Sequence, residues 1–156
     1  MAAQRFAALL LLAFAACVAP APAPFAAPLD LRAAVDAYYR DLSARDWRAF
    51  AEHFHSGAVL STRWTPPGAD APAVMMSSVA EFVAQAHLGP DSQPVFEEWP
   101  TAVEVRRQGD LATTWVRYGA RFGAPGALQE WVGIDAITWI LHDGRWRISS
   151  MAWAGE

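Results

Sequence analysis

Gly133-Ile-Asp-Ala-Ile-Thr-Trp-Ile-Leu-His-Asp-Gly-Arg-Trp-Arg-Ile-Ser-Ser-Met-Ala-Trp153 is the stretch whose reading decides the fold. Two strand-like runs meet at His142-Asp143-Gly144, where Asp and Gly tolerate the positive φ of a tight hairpin turn. Upstream, Gln108-Gly109-Asp110 marks another hairpin and Gly123-Ala-Pro-Gly126 closes the one between. Four strands follow from these turns: about Val95–Arg107, Leu111–Phe122, Leu128–Leu141 and Arg145–Trp153. Joined in sequence order by short turns, they read as an antiparallel meander.

The residues before the meander read as helices. Asp30 can cap a helix from Leu31 to about Ala44 whose apolar face is Leu31, Val35, Tyr38 and Leu42, with Tyr39 beside it. Asp46 can cap a second helix, in which Trp47, Phe50, Ala51 and Phe54 form one stripe. Gly57 is expected to stop it, and Ala58–Trp64 reads as a strand. Thr65–Pro72 holds three Pro and one Gly and reads as a loop. Ala73–Met76 reads as a short strand. Ser78-Val-Ala-Glu81 has the form of a capping box, opening a third helix with the stripe Val79, Phe82, Val83 and Ala86 and ending at Gly89-Pro90. The expected fold class is α+β: a cone-shaped, curved antiparallel sheet wrapped around three N-terminal helices.

Residues 1–28 read differently from the domain at 29–156. A start bearing only Arg5, an apolar run from Phe6 to Val18 and an Ala/Pro stretch to Pro28 have the layout of a secretory signal peptide. The apolar run is short for a membrane span, which needs about 20 residues. A periplasmic or secreted address is therefore expected. Cys17, the single cysteine, ends Phe14-Ala-Ala-Cys17, similar to a bacterial lipoprotein box with Phe14 where Leu is usual. It either becomes lipidated, which is the one expected route to a membrane, or leaves with the signal. In both cases the domain has no disulfide, thiolate metal site or Cys nucleophile.

All twelve basic residues are Arg, which excludes Schiff-base and lysine-base chemistry. Without Arg5, eleven Arg stand against sixteen acids, about −5, and no basic run is present, so nucleic acid is not an expected partner. Eight Trp and eight Phe point to a heavy aromatic core or a large apolar cavity. No Ser-His-Asp order, phosphate-cradling Gly loop or metal-ligand cluster is present, so no cofactor or metal is expected.

Two segments, Val35-Asp-Ala-Tyr-Tyr-Arg-Asp-Leu-Ser-Ala-Arg-Asp-Trp-Arg-Ala-Phe-Ala-Glu-His-Phe-His-Ser-Gly-Ala-Val-Leu60 and Asp143-Gly-Arg-Trp-Arg-Ile148, resemble the nuclear transport factor 2-like, or SnoaL-like, superfamily. The resemblance covers the chain after residue 28. It implies an apolar pocket between sheet and helices, and a homodimer through the outer face of the sheet. It does not imply one reaction, because the superfamily holds isomerases, cyclases, dehydratases and non-enzymes. In its ketosteroid isomerases a Tyr on the first helix, an Asp base and a protonated Asp share the pocket. Tyr38 matches the Tyr, whereas the base falls near Thr62 and the second acid near Thr138, so that route is not expected.

The remaining candidates come from spacing. Asp135, inside a strand, shares a face by alternation with Trp131, Gly133, Ile137 and Trp139; buried, it is a raised-pKa acid or base, and otherwise it pairs with a neighbouring Arg or Thr. His53 and His55 at a helix end fall on nearly opposite faces, with His55 the better placed for the cavity mouth. Arg117 and Arg121 share a face with Thr113 and Trp115, and an inward Arg would select a carboxylate or phosphate; outward, they pair with Glu104 or Glu130. Glu97 and Glu98 read as a solvated edge. The expected ligand-binding set is Tyr38, Thr62, Trp115, Arg117, Thr138, Met151 and Trp153, with Asp135, His55 and Tyr38 as catalytic candidates. The leading functional expectation is a small apolar or aromatic ligand in a conical pocket. The alternatives are an isomerase, lyase or cyclase with an Asp or His base, and a dimeric interaction module.

Overall fold

Helix α1 (Leu29–Ser43) buries Leu31, Val35, Tyr38, Tyr39 and Leu42, the face its 3.6-residue period places together. It starts before Asp30, so that residue lies in the first turn instead of capping it. This computed structural model describes residues 29–65 and 68–155; the expected signal segment and Cys17 lie outside the described residues. Among the described residues no helix is long and apolar enough to cross a membrane.

Helix α2 (Trp47–Glu52) is capped by Asp46, whose carboxylate accepts from the Ala49 N–H at 3.0 Å. It ends earlier than the Trp47–Phe54 stripe suggests. Phe54 opens strand β1 (Phe54–Trp64), and its ring still packs 5.0 Å from Phe50. Gly57 sits inside that strand, within an irregularity between Phe54 and Val59 where β1 holds extra residues against its neighbour. Strand β2 (Ala73–Ser78) pairs with β1. The capping box at Ser78 is formed, with the Glu81 carboxylate accepting from the Ser78 N–H at 2.8 Å, and opens helix α3 (Val79–Ala84). Two single 3-10 turns, Ala86–Leu88 and Pro90–Ser92, lead into the meander.

Strands β3 (Val95–Gln108), β4 (Leu111–Ala124), β5 (Ala127–His142) and β6 (Arg145–Gly155) match the expected runs within a few residues. Asp143 and Gly144 take φ of +50° and +72°, as the β5–β6 turn requires. The six strands form one sheet in the order β2-β1-β6-β5-β4-β3. Every neighbouring pair is antiparallel except β1 and β6, which run parallel. That pair joins the N-terminal hairpin to the far edge of the meander, and the helices cover one face of the curved sheet.

Two irregularities set which side chains enter that face. Between Pro100 and Ala102 on β3, and at Ser149 on β6, one strand carries an extra residue. At the second, the inward set passes from Trp146 and Ile148 to Met151 and Trp153 instead of continuing on even numbers.

Candidate functional site

Between the sheet and the helices lies a cavity of about 450 Å³, open at one end. Its wall is mostly apolar and aromatic: Tyr38 and Leu42 from α1, Phe82 from α3, Phe96, Tyr118, Trp131, Met151 and Trp153 from the sheet. Thr62, Arg63 and Trp64 of β1 also line it. Of the residues expected from sequence, Tyr38, Thr62, Asp135, Met151 and Trp153 are brought together here.

Trp115, Arg117 and Thr138 are not. Asp135 pairs directly with Val116, so both lie on the inner face; Arg117, the next residue, pairs with Ile134 and turns outward. Trp115 pairs with Ala136 and Thr138 with Thr113, on that same outer face. An inward Asp135 and an inward Arg117 are mutually exclusive in this register. His55 also lies elsewhere, its ring 6.3 Å from that of His142 beside the β5–β6 turn. His53 bonds through Nε2 to Asp41 Oδ2 at 2.8 Å, so the two histidines do not share a site.

Two carboxyl groups face the cavity. Asp135 is 1% exposed, and the Tyr39 hydroxyl donates to its Oδ2. The expected Arg or Thr partner is thus replaced by a helix tyrosine. Burial pushes the Asp135 carboxyl up to about 7, a rise that the Tyr39 bond opposes. The second group is Glu98, which was expected at a solvated edge. It follows the buried Phe96 by two residues, so strand alternation carries it inward while Glu97 and Trp99 turn out. Ser43 Oγ fixes its backbone from α1, accepting from the Glu98 N–H and donating to its carbonyl, each at 2.8 Å. Burial first, then the Asp135 charge, pushes the Glu98 carboxyl up to about 8.

Three phenols complete the polar part. Burial raises Tyr38, Tyr39 and Tyr118 above the usual phenol value, so all stay protonated donors. Tyr38 has only a thioether to donate to, Met151 Sδ at 3.3 Å. Sulfur is a weak acceptor, so a ligand oxygen would redirect this hydroxyl cheaply. Tyr118 packs against Gly133, where an added Cβ would overlap the phenol; the missing side chain is what lets the ring lie flat against β5.

Raised carboxyls bear on stability. From about pH 4 to pH 8 the folded protein holds protons on Asp135 and Glu98 that the unfolded chain, near 3.8 and 4.5, has released. The unfolded state then binds fewer protons, so stability falls as pH rises through 7 and 8. The loss accumulates between pH 5 and pH 8 and amounts to several kcal/mol for the pair. Urea midpoints of the wild type and Glu98→Gln at both pH values check this: the variant is expected to lose less, and equal losses would refute the assignment.

A curved six-stranded sheet closing over three helices, with an aromatic cone and a carboxyl pair between them, defines a protein of the α+β roll type. The chain belongs to the SnoaL-like domain family, which it matches over residues 26–152. Solved structures agree in fold. The β subunit of benzoate 1,2-dioxygenase from Burkholderia mallei is 14% identical with a TM-score of 0.66, over 83% of this chain and 91% of that one. A candidate dehydratase of the NTF2-like family from Streptomyces avermitilis is 15% identical with a TM-score of 0.64, over 82% and 94%. An NTF2-like protein of unknown function from Silicibacter pomeroyi reaches 21% identity and a TM-score of 0.57, over 82% and 94%. No curated protein matches the chain at a significant level.

Proposed function

We propose that this protein binds a small, neutral, apolar or aromatic carbonyl compound in the central cavity and moves a proton on it, as an isomerase or lyase does. The observation that carries this reading is the pair of carboxyl groups, Asp135 and Glu98, facing an otherwise aromatic cavity with values near neutrality. At pH 7–8 such a pair holds about one proton in common. Asp135 in its ionised form takes a proton from carbon next to the carbonyl, with the charge passing to the carbonyl oxygen. Protonated Glu98 and the Tyr38 hydroxyl are the donors in the same wall that would meet that oxygen. The proton on Asp135 then returns at another carbon, or leaves with a departing hydroxyl as water. Hydrogen–deuterium exchange of aromatic ketones in D₂O, followed by NMR, tests the reading. Exchange above the buffer rate that is lost in Asp135→Asn supports it, while tight binding without exchange reduces the protein to a carrier of the same ligands.

A homodimer through the outer sheet face is a second, compatible reading. It is supported by Trp115, Leu111 and Ile140, which are 55%, 51% and 39% exposed around a groove of about 450 Å³ on β4 and β5. Native mass spectrometry is expected to find a dimer for the wild type and a monomer for Trp115→Glu; a wild-type monomer would exclude this reading.

A further inference from the structure

The β5–β6 turn carries a group of polar side chains that the cavity does not use. His142 pairs with Arg145 across the turn, and Ile140 pairs with Arg147. Trp146 and Ile148 alternate with the two arginines and are buried, so Arg145 and Arg147 stand together on the outer face, about 7 Å apart along the strand. Strand β1 flanks β6 and brings His55 beside His142. With Ser56 and Asp143 these side chains line a surface depression of about 340 Å³.

The charges around it do not balance. Asp143 lies 3.4 Å from His142 Nε2. The adjoining depression towards the helices, which Arg145 and Arg147 also line, holds Asp41 and Glu52. Asp41 is already taken by His53 at 2.8 Å and by Arg40 at 3.0 Å. Among the described residues neither Arg145 nor Arg147 has a carboxylate within ion-pair distance. His55 Nε2 has no hydrogen-bond partner among them either. Two adjacent guanidinium groups left uncompensated, in a chain whose net charge is −4, repel each other unless an anion sits between them. Guanidinium forks match the oxygens of a tetrahedral phosphate, and imidazole N–H groups add donors from the side. Among the described residues no three His, Cys, Asp or Glu side chains converge as they would around a metal ion.

The geometry points to a phosphate-binding site on this face, built from Arg145, Arg147 and His142 with His55 behind them, separate from the cavity. The phosphate belongs to a soluble phosphate ester or to a lipid headgroup. The test titrates the full protein with inorganic phosphate and follows the histidine and arginine side-chain NMR signals. Vesicles of equal parts phosphatidylcholine and phosphatidic acid form the second arm, read by co-sedimentation. Saturable shifts at millimolar phosphate are expected, with affinity at least about tenfold lower in Arg147→Gln and, independently, in Arg145→Gln, while Arg40→Gln binds as the wild type does. Vesicle retention that both substitutions remove assigns the phosphate to a lipid; phosphate binding without vesicle retention assigns it to a soluble ester. No saturable shift and no retention, or wild-type affinity in both variants, overturns the proposal.

Discussion

Asp135→Asn is expected to slow proton abstraction from a bound carbonyl compound by about 10²–10⁴-fold, the usual worth of a positioned general base. The substitution is nearly isosteric, and the amide oxygen still accepts from the Tyr39 hydroxyl, so the fold has no reason to fail. It also removes a charge whose burial is unfavourable at pH 8, so the variant should be at least as stable there. The pH profile separates a catalytic carboxyl from a structural one. Wild-type turnover should rise through about pH 7 as Asp135 ionises and fall above about 8 as Glu98 loses its proton. Glu98→Gln keeps an N–H donor that cannot titrate, so it should remove the alkaline limb and leave the acid one. Tyr39→Phe takes away the bond that lowers Asp135, so the acid limb should move to higher pH. Stopped-flow or NMR exchange rates from pH 5 to 9 read all three. A wild-type rate in Asp135→Asn, or a profile with no limb near 7, would end the general-base assignment.

The architecture was legible because its signals are local. Gly-containing turns at 108–110, 123–126 and 142–144 each demand a positive φ, and they fixed the strands between them to within a few residues. The capping box at Ser78 and the cap at Asp46 are likewise read from four residues each. What the sequence left open was long-range. The parallel pairing of β1 with β6 depends on residues some 90 apart, and no local pattern encodes it. The inner face of each strand is binary, and one register choice moved Trp115, Arg117 and Thr138 to the outside together. Asp135 came out on the predicted face because it alternates with Ile137 and Trp139, which had to be buried.

Glu98 was missed for a different reason. Glu97-Glu98 reads as a polar pair, and composition favours solvent for both. The available signal was the period-2 link from Phe96 to Glu98, which outweighs polarity once Phe96 is taken as core. Met151 and Trp153 entered the cavity only because the extra residue at Ser149 changes the phase of β6. An alternation counted from Ile148 would have placed them outside.

Trp139→Ala is expected to lose about 4–6 kcal/mol, the largest stability effect among the described side chains. Trp139 is 0% exposed, and truncating a buried Trp costs about 3–5 kcal/mol through lost transfer energy and the cavity left behind. A second cost follows, because the indole N–H donates to Thr114 Oγ1 at 2.9 Å and Thr114 is 2% exposed. Without the indole that hydroxyl stays buried and loses a partner, for about 1 kcal/mol or more. Trp139→Phe separates the two costs in part: it keeps a six-membered ring, removes the donor and leaves a smaller cavity than alanine does, so it should lose roughly 2–3 kcal/mol. Domains of this size hold about 5–15 kcal/mol in all, so the alanine variant is expected to be partly unfolded at 37 °C while the phenylalanine variant is not. Urea midpoints at one pH read both, and a loss below about 1 kcal/mol in Trp139→Ala would mean that β4 and β5 collapse onto the vacated space. Trp139 lies four residues from Asp135 on the same strand face but outside the cavity wall. Trp139→Phe should therefore keep the pH limb near 7. The proposed proton transfer would depend on the dry surroundings of Asp135, and those are set by the neighbours that touch it, not by the stability of the sheet as a whole.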